Sequence, residues 1–178
     1  MVFEEIKTKH LTLRKLTPEV YRYVFENYEE AQLVKFFGLN TEADIFTEEE
    51  KYRKGLSSFN KNFLVFQIIL NETQKVIGWC GFHTWHTSHF RAELGYVLNS
   101  EEHMRKGIMS EALTPVIEYG FNVMDLHRIE AFVAAGKSAS LTLLEKHKFK
   151  KEGHLREHFF KDNKLEDSVL YALLKREY

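Results

Sequence analysis

Residues 90–121 read FRAELGYVLNSEEHMRKGIMSEALTPVIEYGF, and this stretch predicts a strand, a polar link and a helix. The first part has the period of two of a strand: one face carries Arg91, Glu93, Gly95 and Val97, and the other carries Ala92, Leu94, Tyr96 and Leu98. In the last part, apolar or small residues recur at helical spacing; they are Met109, Ala112, Leu113, Val116, Ile117 and Gly120. The link must therefore deliver the chain to a helix that starts near Gly107.

The predicted helix start has the chemistry of an anion site. The first N–H groups of a helix have no partners within it and lie at the positive end of its dipole. Arg105 and Lys106 add positive charge, and Gly107 has no Cβ to obstruct a ligand. Neither G-x-x-x-x-G-K-[ST] nor G-x-G-x-x-G occurs in the chain, which excludes two common phosphate loops. The sequence predicts a different phosphate cradle, with solvated basic surface as the alternative.

Segment 104–109 resembles motif A of the GNAT acetyltransferase superfamily, whose pattern is [QR]-x-x-G-x-[GA]. Gly107 takes the glycine position, whereas Met104 and Met109 depart from the pattern. The strings RKGIMSEAL, VIEYGF and LLEKHKF are similar to the RimJ/RimL branch, which contains ribosomal-protein N-terminal alanine acetyltransferases. The resemblance covers about residues 12–174 and implies one GNAT domain over residues 1–178. Its fold class would be α/β (α+β), with a mixed, mostly antiparallel sheet of about six to seven strands flanked by helices and splayed between the fourth and fifth strands.

The resemblance also implies acetyl-CoA as acyl-donor cosubstrate, with no metal. Its pyrophosphate would bind backbone amides at the helix start, and its pantetheine arm would bind strand amides at the splay. The implied residues are Tyr96, Val97, Leu98, Met104, Arg105, Lys106, Gly107, Ile108, Met109, Ser110, Lys137 and Ser140. Lys137 replaces the asparagine of the family's N-x-x-S element, and Ser140 matches its serine.

Glu93 is the first candidate for the base that takes a proton from the attacking amine. Its side chain lies on the same strand face as those of residues 95 and 97, beside the implied splay. The alternative is a structural carboxylate paired with Arg91 or another cation. Glu157, in the C-terminal hairpin, a histidine of the loop at 82–90 and water are further routes for the proton.

Two hydroxyl groups are candidates for the proton donor to the departing thiolate. Ser140 is the serine of the N-x-x-S element, although it could instead act as a helix cap near Ser138. Tyr171, in the predicted last strand, is the second donor candidate, with core packing as its alternative.

Composition bounds the remaining possibilities. The chain has 178 residues, of which 44% are hydrophobic, enough for the core of one domain. The net charge of −1 lacks the basic excess of a general nucleic-acid binder. No apolar run approaches the length of a membrane span and no signal-like segment opens the chain, so we expect a cytoplasmic protein without membrane or nucleic-acid partners, as a monomer or homodimer.

Cysteine and histidine residues raise two further possibilities, a thiol nucleophile and a metal site. The single Cys80 lies in the apolar run VIGWCGF, which favours a buried structural thiol over a nucleophile. His83, His86 and His89 are three residues apart, but the segment is predicted to be a loop and the spacing fits no zinc signature. Surface or pocket-lining histidines are therefore preferred to a metal site.

The rest of the chain predicts alternating strands and helices. Strands are expected at 11–16, 63–70, 75–82 and 128–133, with a closing hairpin at 149–160 and 165–174 around a turn at 161–164. Helices are expected from Thr17-Pro18, from Thr47 through Tyr52, Leu56 and Phe59, and at 138–147. Pro115, inside the central helix, should remove one backbone hydrogen bond and bend the axis.

The acceptor predicted by this chemistry is a peptide or protein N-terminal α-amine. At pH 7 an α-amine is roughly one-tenth neutral, whereas a lysine-like amine is neutral only about 4 times in 10,000. The difference is worth about 3.5 kcal/mol, so a weakly placed base suits an α-amine. Polyamines, aminoglycosides and amino acids remain alternatives within the enzyme class, and a non-catalytic acyl-CoA-binding module is the alternative outside it.

Overall fold

The computed structural model describes residues 1–41, 43–53, 62–134, 136 and 138–178. Within this part of the chain, eight strands form one sheet in the order β1-β2-β3-β4-β5-β6-β8-β7. The strands are β1 Glu5–Lys7, β2 Leu11–Leu16, β3 Asn62–Leu70, β4 Lys75–His86, β5 Arg91–Leu98, β6 Arg128–Ala134, β7 Lys150–Lys161 and β8 Lys164–Leu174. All neighbouring pairs are antiparallel except β5–β6, which is parallel.

Five α-helices accompany the sheet in the described residues: α1 Pro18–Asn27, α2 Glu30–Phe37, α3 Ala43–Arg53, α4 Ile108–Asn122 and α5 Ser138–Lys146. The start of α1 is as predicted, because Thr17 is its N-cap and Pro18 its first residue. Pro115 lies inside α4, as the sequence indicates. The closing hairpin turns at Asp162 and Asn163, which both have positive φ (49° and 58°), as a two-residue hairpin turn requires.

The two faces of the sheet bury separate apolar clusters. On one face, α4 and α5 cover residues such as Phe66, Cys80 and Phe82, and the predicted stripe of α4 supplies buried Ala112, Leu113, Val116 and Ile117. Gly120 is part of this contact, since a Cβ there would lie 2.5 Å from Cζ of Phe82. On the other face, α1 and α2 pack through residues such as Val24 and Phe36 over the sheet at Leu16 and Val65.

The parallel pair β5–β6 is joined at one end only. Its register runs Arg91↔Arg128, Ala92↔Ile129 and Glu93↔Glu130, and then stops. On its other side, β5 remains paired with β4 from Arg91 as far as Leu98. The predicted splay is thus present: among the residues that the structure describes, β5 has no strand partner on the β6 side from Leu94 onward.

The structure corrects four of the predictions. The described sheet has eight strands instead of six to seven, because Glu5–Lys7 adds an edge strand to β2. Helix α2 was missed, although Gln32 accepts the Glu29 N–H at its start (2.9 Å) as a capping side chain does. Thr47 lies inside α3 instead of starting it, because Asp44 accepts hydrogen bonds from both the N–H and the hydroxyl of Thr41 (3.0 Å each) just before it. The expected continuation of this helix through Leu56 and Phe59 lies outside the described residues.

The fourth correction concerns the histidine segment. Strand β4 continues to His86 with a register irregularity between His83 and His86, and a short 3₁₀ helix follows at Thr87–His89. The segment is therefore mostly strand, not loop. The local sequence hides this because the pairing partner of these residues, β5, is what defines them as strand.

Candidate active site

The start of α4 is built as the sequence predicts. Gly107 is the N-cap with φ +80°, a left-handed conformation that favours glycine, and a Cβ placed on it meets nothing within 4 Å. The first backbone bond of the helix runs from the Glu111 N–H to the Gly107 carbonyl (2.9 Å), so the N–H groups of residues 108–110 have no partner within the helix. Arg105 and Lys106 are exposed beside them. This end of α4 can accept an anion.

The one acidic residue of the first turn is turned away from that end. Glu111 accepts hydrogen bonds from the Thr8 hydroxyl (2.6 Å) and the His10 N–H (2.7 Å), and it contacts His10 Nδ1 at 2.9 Å. Burial opposes ionisation of Glu111, but these hydrogen bonds outweigh it and lower the pKa of the carboxyl. The negative charge of Glu111 is thus compensated by Thr8 and His10 in the β1–β2 connection, not by the N–H groups at the helix start.

Ser110, near the start of α4, and Ser140 of α5, beside the open end of β5, each contact another side chain. The Ser110 hydroxyl lies 3.4 Å from His147 Nε2, at the end of α5. Ser140 is the third residue of α5 and lies beside the phenol of Tyr96, which projects from the open end of β5. Burial raises the pKa of Tyr96, and the Ser140 hydroxyl lowers it by a smaller amount.

The Tyr96 hydroxyl is an unusual group. Its oxygen is inaccessible to solvent and has no hydrogen-bond partner of acceptable geometry among the described residues, Ser140 included. A buried hydroxyl in this state costs free energy, about 1–3 kcal/mol. A polar ligand entering the open end of β5 would remove that cost.

Glu93 lies on the opposite face of β5, where it meets His83 of β4. The two residues are directly paired across the strands, and His83 Nδ1 lies 3.6 Å from Glu93 Oε2. The predicted alternative partner, Arg91, binds Glu130 instead (2.8 Å). Arg128 also binds Glu130 (2.7 Å), so two cations compensate the carboxylate that stands next to Glu93 in β6.

Other candidate residues are placed away from this point or outside the described residues. The Tyr171 hydroxyl donates to Glu145 Oε1 (2.9 Å), on the α5 side of the sheet, and the ring is buried in the core. Glu157 is exposed in the hairpin. Lys137 lies outside the described residues. Cys80 is buried in the core as expected, and burial strongly raises the pKa of its thiol.

The histidine segment forms no metal cluster in the parts of the chain that the structure describes. Those residues contain no group of three or more His, Cys, Asp or Glu side chains placed to hold an ion. The rings of His86 and His89 are 6.1 Å apart, and His83 is turned to Glu93.

A cavity of about 620 Å³ lies on the same face of the sheet as Glu93, beneath α1 and α3. Its walls are largely apolar or aromatic and include Tyr21, Phe37 and Trp79. Two carboxylates, Asp44 and Glu48, also line it. This space forms between elements that are distant in the chain, so local sequence patterns do not predict its shape or its lining.

The comparisons with known proteins assign the family. The model of the acetyltransferase (GNAT) domain matches residues 10–150, and the chain belongs to this family. It is 36% identical to the uncharacterised N-acetyltransferase p20 of Bacillus licheniformis, over 98% of each chain. It is 27% identical to the putative ribosomal N-acetyltransferase YdaF of Bacillus subtilis, over 96% of this chain and 94% of that one. The protein is therefore an N-acetyltransferase.

Solved structures agree with the fold. Mutant forms of the spermidine/spermine N-acetyltransferase SpeG of Vibrio cholerae superpose with a TM-score of 0.70 and 25% identity, over 94% of this chain and 96% of that one. A structure of that enzyme is described as dodecameric. The chain has the mixed α/β GNAT fold, whereas membership of the RimJ/RimL branch stays a prediction.

Acetyl-CoA, the cosubstrate of this family, can be tested against the residues present. The open glycine and free N–H groups at the start of α4 suit a phosphate group. The unpaired side of β5 and the partnerless Tyr96 hydroxyl suit a polar, extended chain beyond it. The donor set therefore fits the cosubstrate.

Proposed function

We propose that this protein transfers the acetyl group of acetyl-CoA to the α-amine of a peptide or protein N-terminus by direct attack of the amine. The observation that carries the proposal is the one-sided pairing of β5: its register with β6 stops at Glu93, and among the described residues the strand edge beyond it has no strand partner on that side. Bound acetyl-CoA supplies an activated acetyl thioester. The remaining tasks belong to the residues of the chain.

The α4 start and the open strand hold the cosubstrate in this proposal. The N–H groups of residues 108–110, with Arg105 and Lys106, bind the phosphate groups. The N–H groups at residues 96–98 of β5 that point away from β4 bind the pantetheine arm and can polarise the acyl carbonyl. Ser140 supplies the proton for the departing thiolate, and Lys137 is retained as a proposed contact on the N-terminal side of α5.

The Glu93–His83 pair receives the proton of the amine. Both side chains lie on the sheet face that also carries the cavity, although neither lines it, so in this proposal the acceptor amine reaches them along this face. An α-amine is the better acceptor for such a pair, because about one-tenth of it is already neutral at pH 7. The similarity to a putative ribosomal N-acetyltransferase supports the same class of acceptor.

A polyamine is the second candidate acceptor. Asp44 and Glu48 place two carboxylates in the wall of the cavity, which favours a substrate with several positive charges. The similarity to a spermidine/spermine acetyltransferase supports this candidate. Both carboxylates already accept protein hydrogen bonds, Asp44 from Thr41 and Glu48 from Tyr21 (3.4 Å), so we place it second.

A panel assay tests the function. Thiol release from acetyl-CoA is measured with N-terminal peptides, spermidine, an aminoglycoside and free amino acids. We expect the highest kcat/KM with peptides that have a free α-amine, and no turnover when the same peptides are N-terminally blocked. A Glu48→Gln variant serves as the control, because it should raise KM for spermidine and leave the peptide reaction unchanged.

Three results would reject parts of this proposal. Spermidine as the preferred substrate, with loss of its affinity in Glu48→Gln, would assign the polyamine reaction. Tight CoA binding without turnover of any amine would assign a non-catalytic module. Sedimentation of the protein as a dodecamer would reject our expectation of a monomer or homodimer.

A further inference from the structure

His83 and Glu93 form a carboxylate–imidazole pair at the last joined position of β5 and β6. Glu93 is the final residue of β5 that is in register with β6, and His83 is directly opposite it in β4. The imidazole Nδ1 lies 3.6 Å from the carboxylate, which is an ion-pair distance and slightly longer than a hydrogen bond. Nδ1 also lies 3.3 Å from the Thr84 hydroxyl.

Gly95 makes room for the His83 ring over the open end of β5. A Cβ on Gly95 would lie 2.8 Å from His83 Nε2 and 3.0 Å from His83 Cδ2, closer than side-chain atoms normally approach. Gly95 is two residues beyond the last β5–β6 pair. The ring therefore has Nδ1 on the side of Glu93 and Nε2 over the strand segment that has lost its β6 partner.

The electrostatic surroundings favour a neutral imidazole that can accept a proton. Burial lowers the pKa of His83 from its ordinary value of 6.5, so the ring is neutral at pH 7. Two charged residues of β5, Glu93 and Arg91, lie on the same sheet face as His83. Glu130 of β6 is the cross-strand partner of Glu93. Arg91 and Arg128 both bind Glu130, which leaves Glu93 as the carboxylate in contact with the imidazole.

We propose that His83 is the catalytic base that accepts the proton of the attacking amine, and that Glu93 is a positioning residue that orients the ring and stabilises its charged form. This assignment rests on the proposed function, because it takes acetyl-CoA as the acetyl donor and an α-amine as the acceptor. It changes the role that the sequence suggested for Glu93.

The proton and electron balance of the step is simple. The amine nitrogen forms the new bond to the acetyl carbon, and its N–H bond breaks with transfer of the proton to His83 Nε2. The carbon–sulfur bond breaks and its electron pair leaves with sulfur, which takes a proton from Ser140 or solvent. The imidazolium that forms is stabilised by Glu93 through Nδ1–H, as carboxylates stabilise histidine bases elsewhere.

Substitutions test the assignment in the intact protein. His83→Gln should lower kcat about 10²-fold with the best amine of the panel, as loss of a general base does. Its dissociation constant for CoA, measured by calorimetry, should stay within twofold of wild type. His89→Gln, at the exposed end of the same segment, is the matched control and should keep full activity.

Gly95→Ala is the second variant, because it keeps every titratable group. The added Cβ must displace the His83 ring, so kcat should fall about tenfold or more while the protein remains folded. Normal activity of both Gly95→Ala and His83→Gln would overturn the proposal. If His83→Gln does not fold, kcat of Gly95→Ala alone tests the proposal, and a normal value would overturn it.

The pH profile separates the two members of the pair. With an α-amine acceptor, log kcat/KM of wild type should fall with a slope of one below about pH 7.8, the pKa of the amine, and with a slope of two below the pKa of His83. His83→Gln should keep the first slope only. A wild-type slope that stays at one through the pKa of His83, as measured by NMR titration, would assign the proton to Glu93 or water and overturn the proposal.

An NMR titration gives a readout that does not require turnover. The pKa of the His83 ring should lie below the ordinary value of 6.5 in wild type and should fall further in Glu93→Gln, because the imidazolium loses its neighbouring negative charge. An unchanged pKa in Glu93→Gln would overturn the positioning role. Absence of turnover with every amine, together with intact CoA binding, would instead reject the proposed function itself.

Discussion

The two ends of β5 differ in how completely their polar groups are satisfied. At the end that begins with Arg91, the strand is paired on both sides, and Arg91, Glu130 and Arg128 form a continuous ion network that reaches Glu152. At the other end, one strand edge is free and the Tyr96 hydroxyl is buried without a partner in the described structure. The proposed cosubstrate site therefore lies at the end of β5 where backbone and side-chain polar groups lack hydrogen-bond partners among the described residues.

The paired end provides the rigidity that the open end requires. Parallel pairing is slightly less stable per residue than antiparallel pairing, and here Glu130 adds to it by accepting hydrogen bonds from both Arg91 and Arg128. The hydrogen bonds that Arg128 donates to Glu152 and Glu130 raise the pKa of its guanidinium against the effect of burial, so this arginine is always charged. The splay therefore starts at a fixed residue, which keeps Glu93 and His83 at its edge.

The largest expected effect comes from breaking the paired end. Glu130→Ala should lower the free energy of unfolding by about 3 kcal/mol, since it leaves two partly buried arginines without their shared carboxylate. Chemical denaturation followed by circular dichroism measures this. Glu152→Ala is the control: its carboxylate is more exposed, and the loss should stay below about 1 kcal/mol. Equal losses in the two variants would contradict the special role of Glu130.

Ser140→Ala tests chemistry at the open end. If Ser140 protonates the departing thiolate, kcat should fall about 10²-fold, equivalent to about 2.7 kcal/mol, with little change in the dissociation constant for CoA. Steady-state kinetics and calorimetry measure the two quantities. Ser138→Ala, at the first position of α5, should leave both unchanged. A loss of thermal stability with normal turnover in Ser140→Ala would support the capping role instead.

Gly107→Glu tests the anion site at the start of α4. A carboxylate placed beside the free N–H groups should compete with phosphate and weaken CoA binding at least tenfold, about 1.4 kcal/mol. Gly107→Asn is the matched control, because asparagine tolerates the left-handed conformation and carries no charge. Equal CoA affinities of the folded Glu variant and wild type, by calorimetry, would rule out the anion site.

Tyr96→Phe should produce the smallest of these effects, and it should raise the stability of the unliganded protein where Glu130→Ala lowers it. Removing a buried hydroxyl without a partner should raise the stability of the unliganded protein by about 1 kcal/mol. The same change should weaken CoA binding, because the ligand loses a hydrogen-bond partner. Thermal unfolding with and without CoA measures both effects. A variant that is destabilised without CoA would show that the hydroxyl already has a partner.

Much of the site follows from local sequence rules. The period of two in residues 91–98 places Glu93 and Gly95 on one face, and the structure confirms it. The start of α4 at Gly107 follows from helix periodicity and from the freedom of glycine to adopt positive φ. These features depend on a few neighbouring residues, so the sequence alone predicts them. The roles of these residues in catalysis stay predictions.

Other features depend on contacts between distant segments. Glu111 is an acidic residue in the first turn of a helix proposed to bind phosphate, and only its bonds to Thr8 and His10 explain why it is compatible with that site. Helix α2 and the true start of α3 were missed because their capping contacts, Glu29–Gln32 and Thr41–Asp44, have the three-residue spacing but not the Thr and Glu residue types of the predicted capping box. Capping signals of this kind are weak in isolation.

The sequence by itself determined the strand–loop–helix unit, the glycine at the helix start and the face on which Glu93 lies, because helical and strand periods are local properties of the backbone. Only the tertiary structure decided that β5 separates from β6 after Glu93, that the Tyr96 hydroxyl has no hydrogen-bond partner among the described residues and that His83 lies over Gly95. Strand register joins residues that are far apart in the chain, and no local pattern specifies which of two edges remains unpaired.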